Sequence, residues 1–252
     1  MRSKHIWVDR LGRLLLNNKL AQIGELLAVF LVAFAVTIGT SPLVGENPLA
    51  RHGVISVAIL LMIFMIWIGL QLRGQNWQHF GLKFGCVSLR TVIRSILLSF
   101  VVFVAAVAAF AMGAIVMAII FGRPEGADMS SYNYLRGNLS MLILVLGAVY
   151  VTASFGEEVI YRGFLINRIG ELGSGGKLAR RLAVIFSSLV FGLIHSDWGL
   201  TGMVQTSLMG LALGVSYVLV RRNLWVTILA HGYMDTILIL QLYFASPEST
   251  SG

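Results

Sequence analysis

Seven stretches of roughly twenty apolar residues, separated by short charged connections, leave few folds open to this chain. Inside a bilayer's hydrocarbon only helices and closed barrels satisfy their own backbone groups, and runs of this length cross it as helices. The runs fall at about 21–41, 53–72, 92–121, 139–165, 182–198, 203–220 and 224–244. They predict an all-α fold: a multi-pass transmembrane helical bundle of about seven spans, forming a single integral membrane domain over 1–252. The fifth run is the shortest, its apolar part running only from Leu182 to Ile194 around two serines. Composition agrees, at 57% apolar and 12% charged residues, against about 45–50% and 25% in soluble domains.

A net charge of +8 invites a nucleic-acid partner, but its distribution excludes that reading. Arg2, Lys4, Arg10, Arg13 and Lys19 precede the first run. Arg73, Lys83, Arg90 and Arg94 flank the second connection, Arg168, Lys177, Arg180 and Arg181 the fourth, and Arg221 and Arg222 the sixth. The alternate connections hold only Arg51, Arg123 and Arg136. Such alternation follows the positive-inside rule, with the N-terminus cytoplasmic and the C-terminus outside. The basic side then lies against anionic lipid.

Residues 1–20 mix bases with Trp7, Leu11 and Leu14–Leu16, the pattern of an interfacial N-terminal segment. Arg73–Gly85 reads as an interfacial loop or short helix, and Gly122–Asn138 as a mobile outer loop. Cys86 is the only cysteine, so an internal disulfide and a thiolate zinc cluster are both excluded. Gly210 and Gly214 form a small-residue face for tight packing within the chain.

Ionisable residues inside such runs are costly and mark functional sites. Glu157, Glu158 and Arg162 end the fourth run, His195 lies on the fifth, and His231 and Asp235 on the seventh. Residues four apart share a helix face, which pairs Glu158 with Arg162 and His231 with Asp235. Glu157, one step round the helix, points about 100° away and is left free. With inner boundaries near Leu165, Val184 and Leu224, a 1.5 Å rise puts Glu157 about 12 Å deep, His195 about 16 Å, and His231 and Asp235 about 10 and 16 Å. Glu25, in the first run, shows no partner pattern and reads as a snorkelling or interhelical residue.

Each residue alone has a structural reading: a buried ion pair for Glu158–Arg162, interhelical hydrogen bonds for the histidines. As a set at one depth they support chemistry. A buried carboxylate beside an imidazole deprotonates water, and a second imidazole steadies an oxyanion. No serine sits in a nucleophile elbow, and the H-E-x-x-H zinc-protease motif is absent from the sequence.

Glu157–Arg162 fits E-E-x-x-x-R, Phe191–His195 fits F-x-x-x-H, and His231–Asp235 fits H-x-x-x-Asn/Asp. In this order the motifs resemble the signature of the CPBP (Abi) family of intramembrane proteases, which includes the type II CAAX prenyl proteases. The likeness covers about residues 139–244, which it implies to be the catalytic core. It implies that Glu157 activates water with help from His195, that His231 and Asp235 line the oxyanion site, and that Glu158 and Arg162 brace the cluster. It favours a glutamate-dependent, cofactor-free enzyme; zinc held by Glu157, His195 and His231 is the alternative. Aspartate in place of the prenyl proteases' usual asparagine puts the oxyanion role of Asp235 in question, since a carboxylate donates only when protonated. Orienting His231 is the other role open to it.

The expected activity is an intramembrane endopeptidase. Its partners are a membrane-associated protein or peptide substrate and the lipid bilayer, and its place is a bacterial plasma membrane with the site opening to the cytoplasm. A non-proteolytic scaffold or bacteriocin-immunity protein of the same family is the alternative. A proton-coupled transporter is a third, for which the sequence offers no inverted repeat.

Overall fold

The computed structural model describes residues 2–85, 87–122 and 128–245, all helix, turn or coil with no strand among them. Cys86, the loop residues 123–127 and the side chain of Trp7 lie outside the described part.

The apolar runs become helices where an Asn or Ser supplies the first cap. α1 spans Arg2–Asn17 and α2 Lys19–Val44, with Asn18 accepting from the Ala21 N–H at 3.0 Å. α3 spans Pro48–Leu72, capped by Asn47 and started by a proline whose missing N–H costs nothing at that position. Ser88 caps α4, Leu89–Phe121, and Asn138 caps α5, Leu139–Val149. These side chains satisfy backbone donors that would otherwise be orphaned at each helix start.

α5 continues without a break through a π-helical segment, Tyr150–Leu165, into α6, Ile166–Leu172. The three form one rod through the middle of the bundle, with α3, α7 and α9 packed against the π segment. α7 spans Lys177–Leu193, α8 Gly199–Leu219 and α9 Leu224–Phe244. Val159, Ile160, Phe164 and Leu165 of the rod are all buried in the core. Gly156 lets α3 approach closely: a Cβ there would stand 2.5 Å from Ile59 Cγ2. Gly210 and Gly214 do pack within the chain, against Phe191 and Val184 of α7.

Six helical segments are long and apolar enough to cross a membrane: α2, α3, α4, the rod, Ser196–Leu219 and α9. The expected fifth span, 182–198, is corrected in detail. Its helix, α7, begins earlier, at Lys177, and ends at Leu193. Seventeen residues rise only about 25 Å, short of a ~30 Å hydrocarbon core. α7 is therefore a seventh, shorter helix whose outer face, with Leu182, Ile185, Phe186 and Leu189, is exposed.

One other expectation changes and one is narrowed. The stretch 122–138 is not simply a loop, because its described part contains a 3-10 turn, Ser130–Leu135, folded back onto the bundle. There Leu135 is fully buried beside Leu142, Val145 and Ile239, Tyr134 Oη lies 3.0 Å from His52 Nδ1, and the Tyr132 ring stacks on His52 at 4.6 Å. Glu25 takes the interhelical of its two expected roles: its carboxylate lies 2.6 Å from Arg73 Nη2 and 3.8 Å from Arg168 Nε. The same Arg73 nitrogen donates to the Leu15 carbonyl at 2.9 Å, which fastens α1 to the end of α3. Leu11, Leu14 and Leu16 stay exposed on α1, as in a helix lying in an interface.

Arg73, Lys83, Arg221 and Arg222 follow the ends of α3 and α8, Arg168 lies in α6 near the end of the rod, and Lys177, Arg180 and Arg181 open α7, at the end of the bundle that α1 occupies. The positive-inside rule then gives a direct check: a C-terminal alkaline phosphatase fusion should be active and a C-terminal GFP fusion dark. The converse pattern would invert the bundle. Removing one partner of a buried ion pair costs about 3–5 kcal/mol, so Arg73→Met should lower the thermal unfolding midpoint of the detergent-solubilised protein far more than Arg51→Met, whose partner Glu46 is 95% exposed.

Candidate active site

The site is built where the π segment crosses α9. A helix closing on i+5 bonds is rare and concentrates at functional sites; here it carries the whole Glu157–Arg162 motif. Glu158 is fully buried, with Arg162 Nη1 2.8 Å from its Oε1, as the i,i+4 spacing predicts. The same Oε1 takes a second partner, His231 Nδ1 of α9, at 3.0 Å. A carboxylate only accepts, so Nδ1 carries the proton and the other ring nitrogen, Nε2, faces away from Glu158. Arg162 is fixed further by donating to the Gly210 carbonyl at 3.3 Å and by lying 4.4 Å over the Phe191 ring.

On its far side His231 Nε2 faces two more carboxylates, Asp235 Oδ1 at 3.7 Å and Glu157 Oε2 at 3.9 Å. Both exceed hydrogen-bond range and act as electrostatic contacts. Glu157 is the least committed acid of the set: its side chain is 12% exposed where that of Glu158 is sealed at 0%. The division of labour expected from the sequence is therefore present in the geometry.

His195 is placed differently from expectation. It does not lie on a helix but in the turn after α7, one residue before a 3-10 turn, Ser196–Trp198. Its Nδ1 donates to the Phe191 carbonyl at 2.8 Å, because a carbonyl can only accept; the neutral ring then keeps its Nε2 lone pair. The Phe191 ring joins the two histidines, 4.9 Å from His195 and 6.0 Å from His231 between centroids. Among the described residues no hydrogen bond or ion pair links His195 to Glu157. The structure thus brings Glu157, Glu158, Arg162, His231 and Asp235 into one polar network and sets His195 beside it across an aromatic ring.

Three residues of the site escaped the sequence reading. Ser154 donates to Asp235 Oδ2 at 2.6 Å, and Tyr150 Oη meets Thr236 Oγ1 at 2.8 Å. The signal was present, since Tyr150, Ser154 and Glu158 recur every four residues on the rod. Tyr132, in the folded-back 3-10 turn, is the third. Burial, then Tyr134 and the carboxylates of Asp197, Glu157 and Asp235, push its hydroxyl up to about 12, which keeps it a neutral phenol beside the acids.

Among the described residues no three His, Cys, Asp or Glu side chains stand close enough together to hold a metal ion. In the alternative zinc set of Glu157, His195 and His231, each imidazole has Nδ1 bound within the protein and would offer Nε2 to a metal.

Residues 139–237 match the family model of the Rce1-like type II CAAX prenyl endopeptidases. The matched segment is the rod, α7, α8 and most of α9, and it holds Glu157, Glu158, Arg162, His195, His231 and Asp235, with Tyr132 lying before it. It bears out the resemblance read from the three motifs and supports, at the coarse level of family, a CAAX-type intramembrane protease. No curated protein and no solved structure matches the chain.

The two adjacent glutamates should separate in stability measurements. Glu158→Gln strips the partner from two buried cations and should cost about 3–5 kcal/mol, seen as an earlier thermal midpoint in detergent. Glu157→Gln should change stability by about 1 kcal/mol or less. Equal losses would mean that both carboxylates are structural.

Proposed function

We propose that this protein is an intramembrane endopeptidase that cuts a membrane-associated protein or peptide with a water activated by Glu157. The observation that carries the reading is the asymmetry of the acid pair. Glu158 is consumed by Arg162 and His231, while Glu157 stands in the same network at 3.9 Å from His231 Nε2 without a direct hydrogen bond to it.

In the reaction Glu157 takes a proton from water as the water oxygen bonds to the scissile carbonyl carbon. The carbonyl electron pair moves onto oxygen, and the Nε2 side of His231 steadies that charge. His195, with a lone pair on Nε2, helps to hold the water. Collapse of the tetrahedral intermediate breaks the C–N bond, and the proton held by Glu157 passes to the leaving amine. The products are one carboxylate and one amine, and no covalent enzyme intermediate forms. Asp235 accepts from Ser154 and faces His231, which supports the orienting role over oxyanion donation. Access is from the cytoplasmic side.

Glu157→Gln should abolish the peptide fragments that accumulate in membranes holding the wild-type protein, at unchanged protein level, with no stoichiometric metal in the purified samples. An Asp235→Asn variant should lose activity if Asp235 orients His231 and keep it if Asp235 donates to the oxyanion. An identical fragment pattern in wild type and Glu157→Gln would refute the mechanism and leave a non-proteolytic member of the same family.

A further inference from the structure

Three side-chain pairs join the rod to α9 across the site: Tyr150 to Thr236, Ser154 to Asp235, and Glu158 to His231. On the rod they are spaced every four residues; on α9 they run in the opposite direction, 236, 235, 231. The outer two rungs have evident uses, since Thr236 is also tied to the Gly232 carbonyl of its own helix and Glu158 holds Arg162. The middle rung bears on the orienting role of Asp235, but the mechanism above gives Ser154 itself no part.

Ser154 is buried at 2% exposure, and its hydroxyl sits only 2.6 Å from Asp235 Oδ2, within the short range of bonds to an ionised acceptor. At the crossing α9 presents Gly232 to Ser154, where even a Cβ would lie at an ordinary contact distance of 3.6 Å from Ser154 Oγ. With Oδ2 taken by Ser154, Asp235 turns its other oxygen, Oδ1, toward His231 Nε2 at 3.7 Å. The terminal torsion of an aspartate is broad rather than staggered, and the Ser154 bond narrows the orientations open to the carboxylate plane.

We propose that Ser154 is a positioning residue for Asp235, whose fixed carboxylate in turn sets how His231 Nε2 faces Glu157. The proposal rests on the endopeptidase reading for its catalytic consequence but not for the contact itself. Ser154 touches no substrate in this scheme and acts only through Asp235.

The test uses the full-length protein in detergent and in native membranes, with Ser154→Ala, Ser154→Thr, Asp235→Asn and Glu157→Gln. Infrared difference spectra of wild type against Asp235→Asn isolate the Asp235 carboxylate bands. Ser154→Ala should shift those bands, and Ser154→Thr, which keeps the hydroxyl, should return them toward wild type. In membranes, Ser154→Ala should cut fragment yield about tenfold or more, the scale of losing one charge-assisted hydrogen bond, and Ser154→Thr should restore most of it. Unshifted bands in Ser154→Ala would overturn the proposal. So would shifted bands with full fragment yield, because Asp235 orientation would then not govern turnover. If Glu157→Gln leaves the fragments unchanged, the protease reading fails, while the infrared arm still decides whether Ser154 holds Asp235. Should Ser154→Ala prove unstable, Ser154→Thr decides: with the hydroxyl kept, bands displaced from wild type would contradict the assignment and bands near wild type would uphold it.

Discussion

A carboxylate with no exposed surface in the middle of a membrane helix is tolerable only if cations meet it, and Glu158 is that carboxylate. Arg162, four residues on, and His231, from another helix, both reach the same oxygen. This single knot fixes the crossing of the rod and α9, pins the guanidinium beneath Phe191, and orients the His231 ring. Everything reactive in the site is then a matter of what the knot leaves unengaged. Among the described residues Glu157, the neighbouring acid, has no direct hydrogen-bond donor, and Nε2 of His231 is turned toward it.

The bundle places its other buried ions with a different purpose. Glu25, Arg73 and Arg168 join the first membrane helix, the end of α3 and the end of the rod, on the side where α1 lies. Glu171 bonds Arg168 at 2.9 Å and His79 at the same distance, which extends the cluster to the Trp77–Phe80 turn. These contacts tie the first two spans to the segment that matches the endopeptidase family. They hold no acid free in the way that Glu157 is free.

How much of this was legible in the sequence follows from the range of each interaction. Apolar run length gave the helices, and i,i+4 spacing gave the Glu158–Arg162 and His231–Asp235 pairs. Contacts within one helix are written locally. The partnership of Glu158 with His231, 73 residues away, is not, nor is that of Glu25 with Arg73 and Arg168. The π pitch of Tyr150–Leu165 is not legible either, because residue identities alone do not announce a change of pitch. His195 was placed on a helix because Leu182–Ile194 is apolar to its end, yet α7 stops at Leu193 and the histidine falls in the turn. The Ser130–Leu135 turn hid within a polar stretch because its anchors, Leu135 and two tyrosines, are few.

The central claim is that water, activated by Glu157, supplies the oxygen of each new C-terminus. Tracing solvent oxygen tests it most directly. Membranes with the wild-type protein, incubated in water enriched in oxygen-18, should release fragments whose new terminal carboxylates carry the label, and Glu157→Gln membranes should release none. Labelled termini of equal abundance in both would contradict the account.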